Sequence, residues 1–234
     1  EGVRVYAIGD VHGRISLLSK MLQAISHDAD QKPKCRIVEV FLGDYVDRGW
    51  HSRDVLECLM APSPCAHERV CLMGNHEEAL LQFLREPGVL REWGSFGGYA
   101  TLKSYGIAIP QSMTPEALSA VRDQLLARMP ANHLAFLQNL PLSYRLGDYL
   151  FVHAGIRPSR AFEKQTRDDL LWIREPFLKH EEYFAQYVVH GHSPVAAPDI
   201  RHNRANLDVS SAAVDSLCCL VLEGHTRNHL LVTT

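Results

Sequence analysis

The sequence predicts an α/β fold, and three observations predict it. Strand-like runs recur at residues 3–8, 36–42 and 68–73, the first two rich in β-branched and aromatic residues, and each stops at a glycine. Between them apolar residues return at helical spacing, as in Ile15, Leu17, Leu18, Met21, Leu22 and Ile25. After each glycine come carboxylates, amides or imidazoles, at the strand ends where open α/β sheets hold their ligands.

Taken in order, the first strand ends in Gly9-Asp10-Val11-His12-Gly13, and residues 14–25 form a helix against the sheet. The second runs into Gly43-Asp44-Tyr45-Val46-Asp47-Arg48-Gly49, with a short helix expected at residues 53–60 before Ala61-Pro62-Ser63-Pro64. The third, residues 68–73, leads to Gly74-Asn75-His76-Glu77 and a helix over residues 78–84. Residues 87–141 read as a helical insertion, with helices at 117–129 and 132–140 around the Gly-rich Trp93-Gly94-Ser95-Phe96-Gly97-Gly98. Such a segment lines substrate access or serves as plain scaffold. Residues 142–152 form a hairpin turning at Gly147-Asp148 and deliver His153-Ala154-Gly155. Arg174 follows the apolar cluster of residues 169–173, and Tyr187-Val188-Val189 leads into His190-Gly191-His192-Ser193-Pro194. Further strands fall near residues 206–207, 218–222 and 229–232, with Asp208 the one ligand-like ending among them.

With no repeat, low-complexity tract or linker, the 234 residues read as a single domain spanning 1–234. A net charge of -3 without any lysine-arginine block argues against polymeric nucleic acid and anionic membranes as partners. The cysteines, Cys35, Cys58, Cys65, Cys71, Cys218 and Cys219, show no C-x-x-C spacing and read as reduced thiols. No apolar run approaches the ~20 residues that span a bilayer, and no signal-peptide pattern opens the chain, so a cytoplasmic enzyme is expected. Glu1 stands where an initiator methionine would, which reads as a trimmed N-terminus.

Asp10, His12, Asp44, Asn75, His153 and His192 form a nitrogen and oxygen donor set suited to first-row divalent ions. Asp10 and His12, two residues apart in extended chain, share a face, and Asp44 is placed to bridge two ions. His190 competes with His192 for the last place; the flanking glycine and Ser-Pro favour His192, which leaves His190 as a supporting donor or a packed side chain. Arg48 suits a phosphate rather than a metal. His76, next to a ligand and in reach of Asp47, reads as a general acid. His27, His51, His67, His133, His180, His202, His225 and His229 read as surface residues.

Together these motifs resemble the phosphoprotein phosphatases of the calcineurin-like metallophosphoesterase superfamily, most of all bacterial members and the phosphatase of bacteriophage lambda. The resemblance covers nearly the whole chain. It implies a four-layer sandwich of two mixed β-sheets flanked by helices, with one metal on Asp10, His12 and Asp44 and the other on Asp44, Asn75, His153 and His192. It further implies two divalent ions, manganese first among Mn, Fe, Zn, Ni and Co, and direct attack on phosphorus by a metal-bridging hydroxide. Arg48 and Arg174 would clamp the phosphate beside Asn75, while His76, oriented by Asp47, protonates the leaving oxygen. The implied substrate is phosphoserine or phosphothreonine in proteins, with phosphotyrosine a further candidate, and the enzyme a monomer. The sister group of symmetrical diadenosine tetraphosphate hydrolases shares the motifs but typically carries alanine at Asp47 and aspartate at Glu77, so both residues point to the protein phosphatases. The main departure is Asp208-Val209-Ser210-Ser211 where bacterial relatives usually read Asp-Thr-Gly-Ala, removing a glycine free to take positive φ.

Overall fold

The chain alternates strands and helices as the periodicity predicts. The structure, a computed structural model, describes residues 2–31, 35–210 and 213–234. Glu1 and Ser211 lie outside the described residues. In order the elements are β1 (Val3–Ile8), α1 (Ile15–Asp30), β2 (Arg36–Phe41), α2 (Ser52–Met60), β3 (Glu68–Cys71) and α3 (Asn75–Arg85). Then come α4 (Leu90–Trp93), α5 (Gly98–Ser104), α6 (Pro115–Arg128), α7 (Ala131–Gln138), β4 (Ser143–Leu146), β5 (Tyr149–Val152) and α8 (Arg167–Trp172). The rest are β6 (Tyr187–His190), β7 (Asp199–Ile200), β8 (Arg204–Asn206), β9 (Ser216–Glu223) and β10 (Thr226–Thr233).

Two five-stranded mixed sheets result, ordered β10-β9-β1-β2-β3 and β4-β5-β6-β8-β7. Parallel pairing joins β1 to β2 and β2 to β3 in the first, and β5 to β6 and β6 to β8 in the second. Within each sheet the metal-competent loops therefore leave parallel strands in one direction.

Period-two alternation decides what each sheet face meets. Val5, Ala7, Val38, Val40 and Leu42 pack against Phe151, Val189, Ala205 and Leu207 between the sheets. Tyr6, Ile8 and Phe41, pointing the other way, pack against Leu17, Leu18, Met21 and Ile25 of α1 and Val55 and Leu56 of α2. A third apolar cluster, centred on Val152, Phe177 and Val188, covers the outer face of the second sheet. Burial on both faces explains why these strands read as continuous apolar runs.

Several element ends move by a few residues, and three departures have a visible cause. Helix α1 continues to Asp30 because Asp28 is anchored by Tyr6 Oη (2.6 Å) and Arg4 Nε (3.0 Å). β3 stops at Cys71, since Met73 N–H donates to Pro141 O rather than along the ladder. His133 is buried, contrary to its expected surface place: α7 packs on α2, and its Nδ1 lies 2.7 Å from Tyr105 Oη. Burial pushes that imidazole toward its neutral form. Of the other histidines expected on the surface, His180 is half-buried and the rest are exposed.

Candidate active site

The loops after β1 and β2 are stitched together by backbone bonds. The N–H groups of Val11 and His12 donate to Asp44 O, that of Gly13 to Tyr45 O, and that of Gly49 to His12 O. Gly43 takes φ 104°, and a Cβ there would meet Gly74 N at 2.6 Å, so the β2 and β3 loops touch backbone to backbone. His12, Asp44, Asp47, Arg48 and His192 are the non-glycine residues with positive φ among the described residues. Each such residue costs on the order of 1–3 kcal/mol, and such strain gathers where a site holds side chains in fixed aim.

Asp44 lies at the centre. Its Oδ2 is 3.6 Å from His12 Nε2 and 3.8 Å from His76 Nε2, while its Oδ1 is 3.4 Å from His153 Nε2 and accepts the His76 N–H at 3.1 Å. Among the described residues two groups of three potential ligands share it, His12–Asp44–His76 and Asp44–His153–His192, with ligand atoms within 4.8 Å of one another. Asn75 Oδ1 joins the second group, 2.8 Å from His153 Nε2 and 2.9 Å from His192 Nδ1. Asp10 is adjacent but outside both groups: its Oδ2 accepts the His192 N–H at 3.1 Å, which turns the carboxylate toward that loop. His76 thus stands in the first group, where the sequence placed Asp10.

The donor set fits divalent ions. His12 Nε2 and His192 Nε2 are buried and have no hydrogen-bond partner among the described residues, as befits two ligand nitrogens for a cation. Burial pushes the pKa of His12 and His153 down, offsetting the pull of Asp44, and burial and His153 do the same for His192, giving the neutral imidazoles that metals need. Burial, together with the charges of Asp208 and Asp44, pushes the Asp10 carboxyl up. For Asp44 burial acts in the same sense, but the surrounding His153, His76, His12 and His192 outweigh it and hold the carboxyl down. Carboxylates crowded this way are relieved by a positive ion.

His76 differs from the other imidazoles. Its Nδ1 lies 2.7 Å from Asp47 Oδ2, and Arg48 Nη2 lies 3.4 Å from its Nε2. Burial disfavours its charged form, yet Asp44 and the hydrogen bond to Asp47 outweigh that, and its pKa is raised. The imidazolium is thereby favoured, as a proton donor requires. Arg48 and Arg174 are both exposed at the mouth; Arg174 Nη1 donates to Ser193 Oγ at 3.2 Å, one residue beyond His192. His190, by contrast, is packed between Phe177 (ring centroids 4.9 Å) and Arg204, whose Nη1 is 3.2 Å from its Nε2.

Sequence reasoning missed Glu77 as a structural brace. Its Oε1 accepts the N–H of Tyr45 and Val46, and its Oε2 those of Asp44 and Gly74, at 2.7–3.1 Å. The capping-box spacing Gly74 to Glu77 was the available signal. Glu77→Gln puts an amide NH2 opposite two buried N–H donors, so a loss of about 3 kcal/mol is expected in denaturant unfolding. An unchanged midpoint would contradict the brace. In the Asp208 loop neither Val209 nor Ser210 takes positive φ, and Val195 N–H donates to Asp208 O.

A comparison with known families matches residues 3–226 to the calcineurin-like phosphoesterase model. The chain belongs to this family. A protein from Methylococcus capsulatus named as a symmetrical bis(5'-nucleosyl)-tetraphosphatase is 31% identical over 155 residues, 66% of this chain and 44% of that protein. The uncharacterized protein F44B9.9 of Caenorhabditis elegans is 35% identical over 34% of each chain. The chain spans less than half the length of either relative. Among solved structures, a putative diadenosine tetraphosphatase superposes with a TM-score of 0.68 at 19% identity, covering 98% of this chain and 94% of that one. A protein serine/threonine phosphatase from Saccharomyces cerevisiae reaches 0.54 at 15% identity over 99% and 79%. These likenesses bear on the fold, and they confirm the two-sheet sandwich.

Proposed function

We propose that the chain hydrolyses phosphate esters or anhydrides at a two-metal centre. The convergence of two donor groups on the single carboxylate of Asp44 carries this reading. The ligands are assigned as Asp10, His12 and Asp44 for one ion and Asp44, Asn75, His153 and His192 for the other, with manganese the first choice. Bound there, two divalent ions would supply Lewis acidity for activating water and for neutralising phosphoryl charge. The chain's own groups do the rest. Arg48 and Arg174 hold the phosphoryl oxygens, and Asn75 orients them. Asp47 fixes the His76 ring so that Nε2 faces the leaving oxygen and delivers its proton there. Arg174→Ala is expected to weaken inhibition by inorganic phosphate about tenfold, as for a charged hydrogen bond at a partly exposed site. Unchanged inhibition would remove Arg174 from the clamp.

For the substrate, the relatives support a symmetrical dinucleoside tetraphosphate ahead of the phosphoprotein expected from sequence. One observation favours the second reading, a phosphoserine or phosphothreonine protein or peptide: the buried Asp47–His76 pair. A serine alkoxide leaves far less readily than a nucleoside diphosphate and has more need of a proton donor. The manganese-loaded enzyme should be offered diadenosine tetraphosphate, a phosphoserine peptide and a phosphotyrosine peptide side by side. Faster turnover of the dinucleotide is expected; preference for a peptide would move the chain to the protein phosphatases. We place this activity in the cytoplasm, in a monomeric enzyme whose residues 1–234 form one metallophosphatase domain. Among the described residues no helix is long and apolar enough to cross a membrane.

A further inference from the structure

Asp47 is held by more than His76. Trp93 Nε1 donates to Asp47 Oδ2 at 2.7 Å, the same oxygen that faces His76 Nδ1. Thr101 Oγ1 donates to Asp47 Oδ1 at 2.6 Å. The Asp47 N–H points back at Thr101 Oγ1 (2.9 Å) and Ser52 Oγ (3.1 Å). Both donors to the carboxylate come from the helical insertion, from the end of α4 and the middle of α5, and both residues are fully buried. The insertion is close-packed around them. A Cβ on Gly98 would meet the Trp93 indole at 2.4 Å, and Gly97 O accepts the Arg48 N–H at 3.2 Å. Phe96 meets the His76 ring edge-on, with centroids 5.1 Å apart.

We infer that Trp93 and Thr101 are positioning residues for proton delivery. They clamp both carboxylate oxygens of Asp47, and through Asp47 fix the plane of the His76 imidazole. The inference rests on the reading of His76 as general acid. A carboxylate bonded only to the imidazole retains freedom about its χ2 torsion, and the ring swings with it. Two further donors, one on each oxygen, remove that freedom. An acid displaced by a fraction of an ångström penalises poor leaving groups, which need the proton in the transition state, and largely spares good ones. The insertion is then part of the catalytic apparatus rather than scaffold alone.

The test compares His76→Asn, Thr101→Val, Thr101→Ser and Trp93→Phe in the manganese-loaded enzyme on an alkyl phosphate and on a nitrophenyl phosphate. Thr101→Val keeps the side-chain shape and removes the hydroxyl; Thr101→Ser retains the donor. Turnover of the alkyl phosphate is expected to fall about tenfold in Thr101→Val, as for one lost hydrogen bond. The fall on nitrophenyl phosphate should be clearly smaller, KM and metal content should stay put, and Thr101→Ser should restore most of the loss. Trp93→Phe should show the same leaving-group split, superimposed on some loss of thermal stability from the smaller ring. Equal losses on both substrates in Thr101→Val, or no restoration by Thr101→Ser, would overturn the positioning role. If His76→Asn itself shows no leaving-group split, the general-acid reading fails instead, and the inference falls with it.

Discussion

Asp44→Asn is expected to empty both metal sites at once. The substitution keeps size and shape but removes the one charge that both donor groups share, and each group is left with imidazoles, an amide and, for one, a carboxylate aimed elsewhere. The loss in affinity compounds because Asp44 also fixes the site's geometry. Its Oδ1 accepts the His76 N–H, and its backbone carbonyl receives the Val11 and His12 N–H groups of the neighbouring loop. The backbone contacts survive the substitution, so the fold should persist with an unfolding midpoint close to wild type. Elemental analysis after dialysis against a weak chelator should give about two divalent ions per wild-type chain. For the variant the expected value is near zero. A variant that retains one tightly held ion would show that the sites do not share Asp44, and a normal content would refute the bridge altogether. Turnover should fall by about a thousandfold or more, since charge stabilisation and water activation are lost together.

The side chains that point into the site were legible because each follows a strand and, His153 apart, a glycine. Asp10, His12, Asp44, Asn75, His153 and His192 are placed by a simple rule, that parallel strands present their carboxyl ends on one edge. The Asp47–His76 contact followed from the same placement. What held those side chains was harder to see. Glu77 works on backbone N–H groups more than thirty residues earlier, and backbone donors leave no mark in sequence. Trp93 and Thr101 reach Asp47 from a helical insertion whose own periodicity reports only that it is helical. His133 misled for the converse reason: its neighbours Asn132 and Asn139 are exposed, but the helix face it occupies is the one α2 covers. Local pattern shows which way an element faces solvent only once its packing partner is known.

His76→Asn is the complementary case, with metals kept and chemistry impaired. Asparagine preserves a hydrogen-bonding side chain of moderate size at the start of α3, but it has no proton to give near neutral pH. In the native site the imidazolium is favoured because Asp44 and Asp47 outweigh the effect of burial. Its Nδ1–H is engaged by Asp47, leaving Nε2 as the nitrogen open to the leaving oxygen, beside Arg48. Removing it should lower turnover of an alkyl phosphate by about 10²–10⁴-fold, the usual contribution of a positioned acid. A nitrophenolate leaves without protonation, so the aryl ester should lose little. Metal content measured on the same samples should match wild type if His76 is a donor and not a ligand. That last comparison carries particular weight, because His76 Nε2 lies within 3.8 Å of Asp44 Oδ2, inside the first donor group. Loss of one ion in His76→Asn would make the histidine a ligand and transfer proton delivery to solvent. Retention of both ions with a steep dependence on the leaving group would fix the division of labour, with His12 and Asp44 holding the ion and His76, steadied by Asp47, supplying the proton.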